Sequence, residues 1–293
     1  MKRLQEISVN IARAAAFCLP VVIFVFYTVY GCSGEKNTSN RENQTIAQIT
    51  ASADSKLIIG ISKHYPNYSD WLLLADKNIV YYDFYTMPFD SAMALIGRCD
   101  GLLLSGGPDV EPSRFGKGWD TARCEIDFRR DTLEFALIDS ARKLRMPILG
   151  ICRGEQILNV YYGGSLIIDI PDDYKTTIQH KCKKSDTCFH DVEVIEGTLL
   201  QKLSGAKSGE INTNHHQAVD KLAKGFAVGS RSPDGIVESI EWAGGGAPPA
   251  GEPNIIAVQW HPERMNPKSP FSLSLAKCFL MWAKDYKNGK AKR

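Results

Sequence analysis

The sequence is short of net charge: 35 basic and 33 acidic residues among 293 leave a formal +2. That balance supplies no basic stripe for phosphates, so nucleic acid is not an expected partner. It has no internal repeat, which removes repeat architectures from consideration. No apolar run reaches the roughly 20 residues a membrane-spanning helix needs. The run that comes nearest, Ala14 to Tyr30, has 17 residues and contains Pro20, which would kink a helix. Ser33 to Ser55 lacks any aromatic residue and is rich in Asn, Ser, Thr, Gln and Glu, a composition that cannot build a core. The remainder, 44% hydrophobic and 23% charged over the whole chain, is ordinary globular material, long enough for one substantial core.

Lys2, Arg3 and Arg13 precede the apolar run, and a polar tract follows Gly31-Cys32. Basic start, apolar middle and polar exit form an export-signal pattern. Val29 to Cys32, VYGC, resembles the lipobox of bacterial lipoproteins, although Tyr30 is bulkier than the usual small residue there. The resemblance implies cleavage before Cys32 and lipidation of that cysteine, with a plain signal or an uncleaved anchor as alternatives. The expected organisation is a lipoprotein-type signal peptide over 1–31, a flexible tether over 32–55, a catalytic domain over 56–287 and a basic tail over 288–293. Such a tether lets a domain wander on the order of 25 Å from its anchor. The expected location is outside the cytoplasm, held by lipid to a bacterial membrane and facing periplasm or exterior.

From Lys56 onward short β-branched or aromatic runs alternate with helical spacing. KLIIGI, NIVYYDFY, DGLLLSGG and MPILGIC are the runs, and the long charged segment from Asp120 to Arg145 is one of the helical stretches. This rhythm predicts an α/β fold with a central, mostly parallel sheet flanked by helices. HDVEVI, EINTNHHQAV, FAVGSR, GIVESIEW and NIIAVQW alternate more strictly, predicting a smaller antiparallel portion with SPDG, Ser232 to Gly235, as a hairpin turn. An apolar helix is expected over Phe271 to Trp282.

Gly150-Ile151-Cys152-Arg153-Gly154 is the densest signal. A buried-strand run delivers one cysteine between glycines and turns at once into a helical pattern, which is the form of a nucleophile elbow with cysteine in the place of serine. Exposed amides at a helix N-terminus favour a thiolate. A thiolate needs a base and an orienting carboxylate, and Gln259-Trp260-His261-Pro262-Glu263 supplies both just past an apolar run. Ser105-Gly106-Gly107 follows another buried strand, and its glycines let backbone amides approach a ligand closely, as an oxyanion hole requires. Taken one at a time, each motif also has a structural reading: a buried cysteine, a loop histidine, a tight turn.

LSGGPDVEPSRFG, PILGICRGEQILNV, NHHQAV, SPDGIVESIE and AVQWHPE, in that order, closely resemble the class I glutamine amidotransferase-like superfamily, peptidase C26 type, whose members include γ-glutamyl hydrolases. The resemblance runs from about Lys56 to Lys284. It implies a flavodoxin-like fold and a Cys152, His261, Glu263 triad. It also implies an oxyanion hole from the amides of Gly107, or else Gly106, and Arg153, and substrate contact from Gln156. NHHQ, with His215 and His216, is placed near the substrate, a structural role for either remaining open. Asp109, Pro112 and Gly116 are expected to be structural, and Asp234 and Glu238 to be turn and surface residues.

Of the eight cysteines, Cys18 falls in the signal, Cys32 at its end and Cys152 in the elbow, which leaves five to be placed. Cys182 and Cys188, within HKCKKSDTCFH, are expected to form a local disulfide in an oxidising compartment. The flanking His180 and His190 leave a zinc site as the alternative, against the spacing of the usual structural patterns. Cys99, Cys124 and Cys278 are expected as core thiols. No metal or organic cofactor is expected. The implied activity is hydrolysis of a γ-glutamyl amide, the partner a small γ-glutamyl substrate. A glutaminase subunit giving ammonia to a synthase, and an inactive surface-binding lipoprotein, are the rival readings.

Overall fold

The computed structural model describes residues 56–182 and 188–290. The expected signal peptide, the Cys32 lipidation site and the tether lie outside the described residues. In the first half of the domain strands and helices alternate: β1 (Leu57–Ile61), α1 (Pro66–Ala75), β2 (Ile79–Asp83), α2 (Phe89–Ile96), β3 (Gly101–Leu104), α3 (Phe128–Leu144), β4 (Ile148–Ile151) and α4 (Arg153–Tyr161). There follow β5 (Leu166–Ile167), α5 (Ile170–Asp173), β6 (Phe189–Val194), α6 (Leu199–Ser204), β7 (Ser208–Asn212), β8 (Ala218–Val219), β9 (Phe226–Arg231), β10 (Val237–Trp242), β11 (Ile255–Val258) and α7 (Leu273–Lys290).

The main sheet runs β2-β1-β3-β4-β11-β10-β9-β6-β7, and β5 pairs with β8 separately. β2, β1, β3, β4 and β11 are mutually parallel, and beyond β11 every pairing is antiparallel. NIIAVQW, expected in the antiparallel portion, is therefore a hinge strand: β11 lies parallel to β4 on one side and antiparallel to β10 on the other. Its unbroken apolar run, buried throughout, is what a strand covered on both faces needs. NHHQ is not in a strand at all but in the connection from β7 to β8.

Successive strand residues face opposite ways and feed two cores. Leu102, Leu104, Ile148, Ile255 and Ala257 pack with Leu133, Leu137 and Ile138 of α3 and Ile157 and Leu158 of α4. Leu103, Leu149, Ile151, Ile256 and Val258 face the other way, onto Trp71 and Leu72 of α1 and Leu275 and Phe279 of α7. Each such side chain contributes about 1.5–3 kcal/mol by leaving water. Helix ends are specified locally: Pro66 opens α1, the Asp127 side chain accepts from the Arg130 amide to cap α3, and Arg145 closes α3 in the left-handed region at φ 56°. The turn at SPDG closes with the Gly235 amide donating to the Ser232 carbonyl at 2.8 Å. α7 continues to Lys290, past the expected domain end at 287, and its Lys287 and Lys290 ammonium groups bond the Lys56 and Cys99 carbonyls. Among the described residues no helix is long and apolar enough to cross a membrane.

Parallel register decides where chemistry collects. Leu104 pairs with Gly150, and Ile151 with Val258, so the C-terminal ends of β3, β4 and β11 lie side by side. In open α/β sheets that edge is where ligands bind.

Candidate active site

Cys152 is the first residue past β4 and the N-cap of α4, with φ 54° and ψ −106°. A non-glycine residue at such angles is strained, and strain of this kind is held in place by packing around it. Its amide donates to the Val258 carbonyl at 2.7 Å, and its carbonyl accepts from the Glu155 amide at 3.0 Å. Gly154 explains the tightness of the elbow. A Cβ there would meet the Leu104 carbonyl carbon at 2.9 Å and the Leu104 Cβ at 3.0 Å, so only glycine lets α4 lie this close to β3.

His261 and Glu263 follow β11. The His261 ring bonds Glu263 Oε1 through Nδ1 at 2.8 Å, and the same oxygen accepts from Asn67 Nδ2 at 3.2 Å. Asn212 holds the histidine from behind: its Oδ1 accepts from the His261 amide and its Nδ2 donates to the His261 carbonyl, both at 2.9 Å. Burial disfavours the charged ring, but the Glu263 carboxylate and then the Cys152 sulfur outweigh it and raise His261 from 6.5 to about 9. The ring is therefore an imidazolium at neutral pH, ready to give up a proton.

The glycine loop after β3 wraps over this pair. A Cβ on Gly106 would lie 2.7 Å from His261 Cε1 and 3.5 Å from Cys152 Cβ, so the loop crosses directly over both. The Gly106 amide donates to the Tyr68 hydroxyl at 2.8 Å. Of the two glycines expected as oxyanion donors, Gly107 is thus the one whose amide is not committed to Tyr68. Arg153 stands at the first position of α4, where the amide has no partner within the helix.

Beneath the loop lies a network that the spacing of charges in Asp120 to Arg145 does not reveal. The Arg153 guanidinium bonds Glu134 and Asp131, and Arg130 Nε donates to Glu134 Oε1 at 2.8 Å, all four side chains being fully buried. Arg130 Nη2 then donates to the Ser105 carbonyl at 2.8 Å. Through these contacts α3 ties the start of the glycine loop, at the Ser105 carbonyl, to the Arg153 side chain at the start of α4. Tyr68, Asn67 and Asn212 were equally illegible in the sequence, since none belongs to a motif with a chemical signature.

Cys152 borders two clefts. One, of about 320 Å³, is lined by Gln156, His215, His216 and Gln217 together with charged residues of both signs, Arg123 and Lys181 against Asp109 and Glu125. The other, of about 330 Å³, is lined by Tyr65, Asn67, Asn214, His261 and Arg264. Gln156 donates to the Gln217 carbonyl and to Gln259 Oε1, both at 3.0 Å. His216 is clamped between Asp109 and Asp169 at 2.9 Å each, and those bonds, the one to Asp109 foremost, raise its pKa. His215 bonds the Gln217 carbonyl through Nδ1 at 2.9 Å and turns Nε2 toward Glu238, 3.7 Å distant. Both histidines border the cleft while their nitrogens serve the protein.

Glu238 is not a surface residue. Its side chain is fully buried, because β10 is an inner strand flanked by β9 and β11, and it faces His180, His190 and His215. Asp234 does shape the turn, accepting from Ser232 and Thr176 as well as His180. Cys182 and Cys188 are joined by a disulfide. Cys99 and Cys278 are buried, whereas Cys124 is only partly so, its sulfur receiving the Gln217 amide at 3.3 Å.

The family model for peptidase C26 matches residues 85–263, a span that contains the cysteine, the histidine and the glutamate. A Schizosaccharomyces pombe protein, provisionally named a glutamine amidotransferase, is 38% identical over 182 residues, covering 62% of this chain and 68% of its own. The γ-glutamyl-γ-aminobutyrate hydrolase PuuD of Escherichia coli K12 is 33% identical over 180 residues, 58% of this chain and 66% of that one. Among solved structures, the glutaminase domain of Trypanosoma brucei CTPS with bound acivicin superposes with a TM-score of 0.52 at 16% identity, covering 78% of this chain and 94% of that one. At that identity the likeness is one of fold.

Proposed function

The chain belongs to the peptidase C26 family of class I glutamine amidotransferase-like proteins, and on that premise we propose that it hydrolyses γ-glutamyl amides through a γ-glutamyl thioester on Cys152. The observation that carries the reading is the strained elbow cysteine beside a histidine held charged by Glu263. The Cys152 thiolate attacks the γ-carbonyl carbon, and the oxyanion that forms is held by the Gly107 and Arg153 amides. His261 gives its proton to the nitrogen of the breaking C–N bond, and the amine departs. Neutral His261 then takes a proton from water, whose oxygen attacks the thioester; glutamate leaves and the thiolate returns.

The two clefts support a division of labour. A free γ-glutamyl head group carries an α-carboxylate and an α-ammonium, and the cleft beside Gln156 offers charges of both signs. The cleft onto which His261 opens takes the leaving amine. Losing either head-group charge leaves polar groups unpaired, at a cost of roughly 1–3 kcal/mol each. Initial rates on γ-glutamyl-γ-aminobutyrate, γ-glutamyl dipeptides, their α-linked isomers and free glutamine test the proposal. The expected result is γ over α by on the order of 100-fold, equivalent to about 3 kcal/mol. Equal rates on both linkages refute head-group recognition, and a clear preference for glutamine favours the ammonia-donating reading.

The location proposed from the N-terminal pattern is export and lipid anchorage through Cys32. Mass spectrometry of protein from its native membrane should find diacylglycerol on Cys32 and nothing before it. A chain still beginning at Met1 overturns this.

A further inference from the structure

Behind the cleft, four residues far apart in sequence converge on one point. His180 comes from the segment after α5, His190 from β6, His215 from the β7–β8 connection and Glu238 from β10. Their side chains are at most 5% exposed. His180 Nδ1 and His190 Nε2 each lie 3.4 Å from Glu238 Oε1, and His215 Nε2 lies 3.7 Å from it. None of these atoms makes a hydrogen bond.

The outer nitrogens decide the protonation of the inner ones. His190 Nδ1 faces the Asp191 carbonyl at 3.0 Å, His215 Nδ1 the Gln217 carbonyl at 2.9 Å, and His180 Nε2 the Asp234 carboxylate at 3.0 Å. A carbonyl oxygen or carboxylate only accepts, so each outer nitrogen carries the hydrogen. In the neutral rings the inner nitrogens are then bare lone pairs. With all three rings neutral, three lone pairs and a carboxylate would meet with no donor among them, in a place shut off from solvent. Charging one ring would satisfy one contact and leave two; charging all three would bury a net positive cluster. One cation at the centre answers all four groups.

We propose that His180, His190, His215 and Glu238 bind a structural divalent transition-metal ion, with zinc the best match. Zinc takes four ligands in tetrahedral array at about 2.0–2.2 Å from imidazole nitrogen and carboxylate oxygen, which sets neighbouring donor atoms roughly 3.4 Å apart. The observed nitrogen-to-oxygen spacings of 3.4–3.7 Å lie at or a little above that value, and all four donor atoms lie within 4.8 Å of one another, so a small inward turn of the rings brings them onto one ion. Hydrogen bonds from the far ring nitrogens to carbonyl and carboxylate oxygens are the usual support of metal-binding histidines. Four protein ligands close the coordination sphere, so the ion's work is to hold chain segments together.

Two of those segments wall the cleft, one through Lys181 beside His180 and one through the run from Asn214 to Gln217. The Glu238 carbonyl accepts from the Gln259 amide at 2.8 Å, and Gln259 Oε1 in turn accepts from Gln156. His215 itself borders the cleft. The symmetry of HKCKKSDTCFH acquires a reason: its two cysteines bond each other, while the histidines two positions outside them both turn to Glu238. The segment is pinned once covalently and once by the ion.

The test uses the full-length chain, purified without a polyhistidine tag and freed of loose metal by gel filtration. Elemental mass spectrometry should find one equivalent of zinc per chain. Chelator-stripped protein should take up one equivalent of cobalt(II) with the intense visible bands of a four-coordinate ion, and zinc should raise its melting temperature. Cys152→Ala should retain the metal, which separates this site from adventitious zinc on the nucleophile. His190→Ala and Glu238→Gln should lose the cobalt bands. Wild-type protein that holds no zinc and gives no four-coordinate cobalt spectrum overturns the proposal. So does a spectrum that survives both ligand substitutions, or one that disappears only with Cys152→Ala.

Discussion

At the scale of single residues, the proposed mechanism depends on keeping one proton on His261. Its value of about 9, above the ordinary 6.5, comes from Glu263 and the Cys152 sulfur overcoming burial. Two consequences share a sign. Because the folded-state value is raised, the charged ring contributes stability that is whole below about pH 6.5 and is lost as pH climbs through about 9. Protonation of the leaving amine fails over the same alkaline window, so kcat/KM should fall above about pH 9. Glu263→Gln removes the carboxylate that sustains the charge. We expect kcat to drop by on the order of 100-fold or more and the alkaline limb to move to lower pH. A pH–rate profile unchanged in shape would show that Glu263 does not govern the proton.

At the scale of elements, catalytic geometry rests on how closely α4 and α3 seat against the sheet. Gly154→Ala places a methyl group against the Leu104 backbone, with no flexible side chain to yield. Overpacking of this kind should cost about 1–3 kcal/mol in urea denaturation. Because α4 carries the Arg153 amide, kcat should fall with it while KM changes less. Glu134→Gln acts from the other side, leaving Arg130 and Arg153 buried without their shared carboxylate. Breaking a buried pair in this way should cost about 3–5 kcal/mol. Replacement with little effect on the urea midpoint would mean that water or Asp131 takes over the role.

At the scale of the whole molecule, the thiols divide by environment. Burial pushes Cys99 and Cys278 up to about 12 and Cys124 up to about 11, so at neutral pH all three stay protonated and poorly nucleophilic. Cys152 alone among the free cysteines of the described residues lies at a helix N-terminus beside a cleft and a charged histidine. One equivalent of a thiol-directed glutamine analogue should therefore label Cys152. Cys152→Ala should abolish both labelling and turnover while leaving the fold, read by circular dichroism, unchanged. Labelling of another thiol, with activity surviving in that variant, would remove Cys152 from the mechanism.

The elbow at Cys152, the His261–Glu263 pair, the glycine loop and the α/β rhythm were legible in the sequence because each rests on local rules. Apolar runs make strands, a glycine-flanked cysteine makes an elbow, and a histidine two residues before a glutamate can share one carboxylate oxygen with its neighbours. What needed the tertiary structure was every decision made by residues distant in sequence. The parallel pairing of NIIAVQW with β4, the removal of NHHQ from any strand, and the commitment of the Gly106 amide to Tyr68 are of this kind. Glu238 is the clearest case: VESIEW reads as a half-exposed strand, yet all six of its residues are buried, with Glu238 turned toward three imidazoles. Period and propensity say which residues share a face, but only the packing of other segments says whether that face meets water or a place that a buried charge can occupy.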